Sequence, residues 1–212
     1  MPPCWTAGDR LRTRPKTALR PRRYVKDAIM RSVMWRRTAG TGMEACAISK
    51  DGTGHIISGT ALYVEQQTPM RLEYSVRCDA DWGCRAASVD RWAGADKIEI
   101  RLQRDDDGHW TANGDLIADM NGLRDIDLGF TPATNTNAIK RLNLDIKDDA
   151  TFTAVWLDDE TWTFKPLKQR YARLTEDIYR YTSIVSGYEA TLTVDDFGFV
   201  RTYPNLWDAV TS

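Results

Sequence analysis

The chain has 212 residues and a formal net charge of −1; 42% of the residues are hydrophobic and 28% are charged. These proportions are typical of a globular protein that is long enough to bury a hydrophobic core. No apolar run approaches the ~20 residues that cross a bilayer, and the first 30 residues hold no apolar block like that of a signal peptide. The sequence excludes a collagen and a wholly disordered chain, and it predicts a cytoplasmic protein without integral membrane association.

Charge is distributed unevenly along the chain. Residues 1–37 carry 11 Lys or Arg against 2 Asp, whereas the remaining residues carry 18 basic and 28 acidic side chains. Four prolines interrupt the basic run, and such a segment buries too little apolar surface to offset its ordering entropy. We predict a basic arm over residues 1–37, disordered or partly helical with a short helix over Tyr24–Trp35, and one domain over residues 38–212. An alternative is that translation starts at a downstream methionine and that the arm is not part of the protein.

After the arm, apolar and polar residues alternate in short runs. Leu72, Tyr74 and Val76 alternate with polar neighbours, and the same period of two recurs over Ile98–Leu102 and Tyr188–Val194. A period of two gives a strand one buried face and one wet face. The pattern therefore predicts an antiparallel β domain with a solvent-exposed outer surface.

Turn signals separate these runs at short intervals. They are Asp51-Gly52, Asp107-Gly108, Asn113-Gly114 and Asp196-Phe197-Gly198. Many short strands with recurring turns are typical of all-β sandwiches, rolls and barrels. We predict an all-β fold, an open antiparallel β-barrel or roll, with a short terminal helix over Leu206–Val210.

Most motifs that carry chemistry are missing. The sequence has no GxSxG, no GxGxxG, no P-loop and no CxxC pair. We therefore expect no catalytic residue, no metal and no cofactor. Cys78 and Cys84 could face each other across a turn, but buried or idle thiols are expected in a protein without an export signal.

Aromatic residues are abundant, with eight Trp, eight Tyr and five Phe. They suit an ordinary β core, and the alternative is that some of them line an apolar cavity or stack on sugar rings. The segment Thr151–Leu157 has no charge on either face. A strand without a wet face is covered on both sides, by a core and by either another element or a ligand.

The densest polar segment runs from Arg124 to Leu142. Asp125 and Asp127 lie two apart and share one strand face, and a Thr/Asn-rich loop then returns the chain to Lys140 and Arg141. Three interpretations stay open. The loop can satisfy its own backbone and be anchored by an ion pair of Asp127 with Arg141, the polar groups can bind a head group, or the two carboxylates can serve a hydrolase.

Several short motifs occur in order along the chain. They are Gly42-x-Glu44, Leu72-x-Tyr74 through Trp82 and Arg85, Asp125-Ile126-Asp127-Leu128-Gly129, Thr131-Pro132-x-Thr134-Asn135-Thr136, Arg141-Leu142, Ala154-Val155-Trp156, Gln169-Arg170-Tyr171, Tyr179-Arg180-Tyr181, Val194–Val200 and Tyr203-Pro204. Together they resemble the bacterial family named "putative glycolipid-binding", first catalogued as a domain of unknown function. The resemblance covers about residues 35–210 and departs from the family at Ala138, where Pro is usual, and at Lys140, where Arg is usual. The resemblance implies an open barrel or roll similar to bacterial lipoprotein carriers and a glycolipid ligand, and it carries over no catalytic residue.

We therefore predict non-catalytic binding of a glycolipid or lipid-like amphipath in a β-lined apolar cavity with a polar rim. The alternatives are an enzyme acting on a glycan or lipid head group through Asp125 or Asp127, and an interaction protein whose basic arm binds nucleic acid or anionic lipid. Nucleic acid is not the partner we expect for the domain. The predicted ligand-binding residues are Asp125, Asp127, Lys140, Arg141, Gln169, Tyr171, Trp82, Arg85, Trp156 and Tyr181.

Overall fold

The computed structural model describes residues 29–210, which form fifteen β-strands and one α-helix. A short 3-10 helix, Ala118–Met120, precedes β9. The strands are β1 (Ile29–Arg37), β2 (Gly42–Asp51), β3 (Gly54–Glu65), β4 (Thr68–Cys78), β5 (Cys84–Ala93), β6 (Asp96–Arg104), β7 (Trp110–Ala112), β8 (Asp115–Leu116), β9 (Asp125–Leu128), β10 (Asp149–Asp158), β11 (Thr163–Arg173), β12 (Ile178–Ser183), β13 (Tyr188–Val194), β14 (Val200–Tyr203) and β15 (Trp207–Ala209), and α1 spans Ala133–Leu142.

All strands belong to one sheet, in the order β8-β7-β6-β5-β4-β3-β2-β1-β15-β14-β13-β12-β11-β10-β9. Neighbours are antiparallel, and β1 pairs with β15 at the centre of the order. The exception is the parallel pair of β9 and β10, which α1 connects, because parallel neighbours need a crossover that is usually helical. The outermost strands β8 and β9 do not pair with each other, so the predicted all-β open fold is confirmed.

The alternation seen in the sequence sets the two faces of the sheet. In β4, Leu72, Tyr74 and Val76 are buried while Arg71 and Glu73 are exposed. The predicted turns also form, and Asn113-Gly114 joins β7 to β8 with two consecutive positive φ angles of 51° and 94°. That geometry suits a tight hairpin turn, which is why Asn and Gly occupy it.

Part of the aromatic content forms an ordinary core. Trp35, Trp110 and Phe199 are completely buried. The indole Nε1 of Trp35 donates to the carbonyl oxygen of Val200 at 2.6 Å, and that of Trp110 donates to the carbonyl oxygen of Leu123 at 2.9 Å. Both indoles thereby satisfy their one polar group inside the protein.

The predicted Thr/Asn-rich loop is wrong, because α1 occupies it. Its first turn is held by Oγ1 of Thr131, which accepts from the backbone N–H of Ala133 at 3.0 Å. It ends at Asn143, a left-handed residue whose N–H donates to the carbonyl oxygen of Ile139. Residues 133–139 are all buried, so tertiary packing overrides the weak helix propensity of Thr and Asn.

Two other predicted helices are also wrong. Residues 29–35 lie in β1, which pairs with β2 along most of its length and with β15 at residues 35–37. Trp207–Ala209 forms β15 and pairs with β14 and β1 instead of forming a terminal helix. The rest of the predicted helix, Tyr24–Ala28, and most of the predicted arm lie outside the described residues.

The strand predicted to lack a wet face is covered only in its second half, since Thr151 is exposed. In β10, Ala154 on one face and Val155 and Leu157 on the other are all buried. Cysteines also follow the expectation of buried thiols, because Cys46, Cys78 and Cys84 are all free and buried. No helix within residues 29–210 is long and apolar enough to cross a membrane.

Candidate functional site

A cavity of about 330 Å³ lies where the start of α1 meets β9–β13 and the turn before β15. Its walls are mostly aromatic or apolar, with a small number of polar groups, which is the usual composition of a ligand pocket. The residues that line it are Asp127, Gly129, Thr131, Pro132, Asn135, Trp156, Leu167, Tyr181, Ser183, Val185, Ser186, Tyr188, Tyr203, Leu206 and Trp207.

Strand register places the acidic group of the cavity beside a tryptophan. Asp127 of β9 and Trp156 of β10 are direct partners in the parallel pair, so their side chains share a face. Gln169 of β11 lies on the same face, and its Nε2 donates to Oδ2 of Asp127 at 2.5 Å. This hydrogen bond fixes the orientation of the Asp127 carboxylate.

An amide of α1 anchors the opposite wall. Nδ2 of Asn135 donates to Oη of Tyr171 at 2.6 Å. The ring of Tyr171 stacks on Phe152 and meets Tyr181 edge-on, with centroid distances of 5.8 Å and 5.3 Å. Tyr181 in turn contacts Tyr203. These contacts form a continuous series of aromatic rings beside the cavity.

The electrostatics of the cavity are dominated by Asp127. Burial raises the pKa of Asp127 to about 6; the Asp159 carboxylate adds to this rise, and the hydrogen bond from Gln169 opposes it. Gly129 leaves room for Asp159 and Trp156. A Cβ at this position would lie 2.7 Å from Oδ1 of Asp159 and 2.9 Å from Nε1 of Trp156. The cavity thus carries a single carboxylate in its wall with a second one behind it.

A buried acid supports the entrance to α1. Oε1 of Glu44 accepts from Oγ1 of Thr131 at 2.6 Å and from Oη of Tyr74 at 2.5 Å. Burial raises the pKa of Glu44 to about 7, against the effect of these two hydrogen bonds. Oε2 of Glu44 is buried without a hydrogen-bond partner among the described residues. The alternation of β2 could have predicted that Glu44 is buried, because Glu44 shares its strand face with Cys46 and Ile48.

Five of the ten predicted ligand-binding residues are at the cavity. Asp127, Trp156 and Tyr181 line it. Gln169 donates a hydrogen bond to Asp127, and Tyr171 accepts one from Asn135. This grouping joins residues that are up to 54 positions apart in the sequence.

Asp125 and Arg141 lie elsewhere and pair with each other. Nε of Arg141 donates to Oδ1 of Asp125 at 2.6 Å, and the Asp125 side chain is only 3% exposed. The predicted pairing of Arg141 with Asp127 is therefore wrong. Because α1 runs back beside β9, its last turn returns to the beginning of β9, where Asp125 lies.

Three more predicted residues do not line the cavity. Lys140 lines a separate cavity of about 210 Å³, and its Nζ lies 4.2 Å from the ring centroid of Phe197. Trp82 stacks on His55 at 3.9 Å. Arg85 pairs with the exposed Asp106. Their role in ligand binding stays a prediction.

Sequence reasoning missed most of the C-terminal wall of the cavity. Ser183, Val185, Ser186 and Tyr188 come from the β12–β13 hairpin, and Trp207 opens β15. The alternation from Tyr188 to Val194 revealed the strand but could not reveal what its first residue faces.

One group of described residues could offer metal ligands: Asp105, Asp107 and His109 have ligand atoms within 4.8 Å of one another. All three are exposed in the β6–β7 turn, where Nδ1 of His109 lies 3.1 Å from Oδ2 of Asp105. The turn is adequately explained by these internal hydrogen bonds, and it is remote in sequence and sheet order from the cavity.

A family model described as "Putative glycolipid-binding" matches residues 32–209, which is most of the chain. The chain belongs to this family. It is similar to a crystal structure of a DUF1089 family protein from Pseudomonas aeruginosa, with 28% identity and a TM-score of 0.70 over 79% of this chain and 91% of the other.

A second solved structure, a beta-barrel-like protein of domain of unknown function DUF1849 from Brucella abortus, has 10% identity and a TM-score of 0.47, covering 88% of this chain and 98% of the other. A search of curated proteins gave no match. Membership of the family supports a binding role for this chain.

Proposed function

We propose that this protein binds a glycolipid or lipid-like amphipath in the cavity around Asp127 and does not transform it. The observation that carries the proposal is the cavity itself, whose aromatic walls surround Asp127 and Asn135. Ligand pockets usually combine apolar walls with a few convergent polar groups. Such a site suits a molecule with a polar head and an apolar remainder.

The size of the cavity suggests which part of the ligand enters. About 330 Å³ is near the lower end of the roughly 300–1,000 Å³ that is usual for ligand pockets. A head group and the first part of a chain fit this volume better than a complete lipid. Val185 lines the cavity and is also 81% exposed, so the remainder of an apolar chain would leave past it.

The enzymatic alternative has less support. A paired-carboxylate mechanism needs two acids that face one substrate. Asp125 is instead bound to Arg141, and the direct hydrogen-bond partner of Asp127 is the amide of Gln169. Asp127 alone, with its pKa raised to about 6, could act as a general base, so a turnover assay belongs beside any binding assay. We keep a cytoplasmic location as part of the proposal.

Calorimetric titration with n-octyl glucoside below its micelle concentration tests the proposal. We expect saturable binding that Trp156→Ala weakens by about tenfold, because a wall of the cavity is lost. The matched control is Trp92→Ala, since Trp92 is also partly buried but lies on β5 against Arg71. No binding by the native protein, or an equal loss in both variants, would contradict the proposal. Native mass spectrometry of protein purified from its own host would show a retained lipid directly.

A further inference from the structure

Within residues 29–210, the carboxylate of Asp127 has no cationic partner. Its hydrogen bond comes from the neutral amide of Gln169, and no ion pair of Asp127 occurs among the described side chains. The neighbouring charge that acts on Asp127 is the carboxylate of Asp159, which has the same sign. Asp127 is partly buried, and a carboxylate that is withdrawn from water is normally paired, because an uncompensated charge is costly.

Lys165 and Arg141 each form an ion pair with an acid other than Asp127. Nζ of Lys165 binds Oδ2 of Asp158 and lies 5.7 Å from the ring centroid of Trp156, outside the set of residues that line the cavity. Arg141 is bound to Asp125. The fifteen lining residues, all from the described part of the chain, include no Lys, Arg or His. No described residue that lines the cavity therefore supplies a counter-charge to Asp127.

The rest of the wall suits a cation as well. Trp156, Tyr181, Tyr188, Tyr203 and Trp207 all line the same space. The faces of aromatic rings attract ammonium groups, and rings gathered around one site are the usual way in which proteins hold quaternary ammonium groups. An anionic head group would instead meet the carboxylate of Asp127 with no compensating donor of positive charge.

We propose that the head group bound in this cavity carries a positively charged nitrogen, an amine or a quaternary ammonium, which lies against Asp127 and is enclosed by the aromatic side chains. This inference rests on the proposed function, since it names the chemical class of the ligand for the same cavity. A phosphate or carboxylate head without such a nitrogen is rejected by the cavity.

Three probes with the same n-octyl chain separate the possibilities: octyltrimethylammonium, octyl glucoside and octyl phosphate. Each is titrated calorimetrically at pH 7.5, below its micelle concentration. The native protein should bind the ammonium at least about tenfold more tightly than the glucoside, with the phosphate weakest. Asp127→Asn should abolish the preference for the ammonium over the glucoside. Asp115→Asn removes one exposed carboxylate on β8 and should change nothing.

The outcomes distinguish the two proposals. Binding of the glucoside with equal or higher affinity than the ammonium would overturn the inference and leave the proposed function standing. Failure of all three probes to bind would overturn both. If Asp127→Asn does not fold, the pH dependence of the native protein tests the inference instead. Ammonium affinity should decrease as the pH is lowered through about 6, whereas glucoside affinity should not. An ammonium affinity that is constant between pH 7.5 and 5 would overturn the inference.

Discussion

Arg141 and Asp125 form an ion pair that joins the last turn of α1 to the first residue of β9, with 2.6 Å between Nε and Oδ1. The pair fixes the helix against the strand that carries Asp127. Arg141 also lies over the ring of Phe152, at 5.2 Å from the centroid. The helix end is thus held by both charge and aromatic contact, and the cavity at the other end of the helix depends on that placement.

Removing one member of this pair should destabilise the domain strongly. Arg141→Met leaves the carboxylate of Asp125 buried and unpaired, which typically costs about 3–5 kcal/mol. Asp125→Asn should also destabilise, and the double variant should cost less than the sum of the two. Urea denaturation measures all three. The exposed pair of Asp149 with Arg170 is the control, and Asp149→Asn should leave the urea midpoint nearly unchanged, because surface ion pairs contribute little. Strict additivity of the buried pair would contradict the assignment.

Glu44 should make the domain less stable as the pH rises from about 4.5 to 7. Its pKa is about 7 in the folded state and near 4.5 when exposed. In that interval the folded state binds more protons than the unfolded state, so increasing pH favours unfolding. Glu44→Gln keeps an acceptor for Tyr74 and Thr131 and should flatten this part of the stability curve. Urea midpoints measured from pH 4.5 to 8 provide the check.

The control for Glu44 is Glu73→Gln on β4, an exposed acid whose side chain is 49% accessible. Its variant should follow the native pH dependence. An unchanged slope in Glu44→Gln would show that other groups, Asp127 among them, account for the effect.

Affinity for the ammonium probe should depend on the state of Asp127. Lowering the pH from 7.5 to 5 protonates a carboxylate with a pKa of about 6, so the attraction for the cation disappears. Gln169→Met removes the hydrogen bond that stabilises the charged form, and this should move the midpoint of the pH dependence upward. Calorimetry across this pH range measures the midpoint, and a shift to lower pH would be inconsistent with the observed geometry.

Val185 should influence the affinity for long chains more than for short ones. The side chain is exposed at the mouth of the cavity, and each buried CH₂ contributes about 0.8 kcal/mol. Val185→Ser should therefore weaken octyl glucoside binding by a larger factor than butyl glucoside binding. Ile184→Ser is the control, because Ile184 is exposed next to it but does not line the cavity. Equal effects of the two substitutions on octyl glucoside would contradict the role of Val185.

The three described cysteines should resist thiol reagents in the folded protein. Burial raises the pKa of Cys78 to about 12 and that of Cys84 well above its usual range, and Cys46 changes in the same direction. Since the thiolate is the reactive form, labelling with iodoacetamide followed by peptide mass spectrometry should find these positions unmodified until urea unfolds the domain. Fast modification of Cys46 without unfolding would indicate that its strand opens locally.

Sequence patterns predicted the strands because burial of one face leaves a period of two, as in β4 and β6. The helix α1 was missed because four of its seven buried positions are Thr or Asn rather than apolar residues. No hydrophobic period marks such a helix. Its presence follows instead from topology, since the parallel pair of β9 and β10 requires a crossover.

The candidate site was predicted in part for a related reason. Asp127, Gln169 and Tyr171 come from motifs that are recognisable in the sequence. Ser183, Val185 and the other residues of the C-terminal wall reach the cavity only through the packing of strands that are distant in sequence. The partner of Arg141 was also misassigned, because a loop and a helix of the same length return the chain to different strand positions. Such contacts are decided by tertiary structure and not by local pattern.

The pairing of β1 with β15 has a consequence for how the protein is made. Trp35 is opposite Ala209 in that pair, so a central seam of the sheet joins residues from nearly opposite ends of the described chain. The hairpins from β1 to β8 have local contacts and can form while synthesis continues, but this seam cannot form before the last strand leaves the ribosome. Contacts of such long sequence separation slow folding. Until β15 pairs with β1, the edge of β1 is open to pairing with other chains. We therefore expect nascent chains that stall before Trp207 to need chaperone protection.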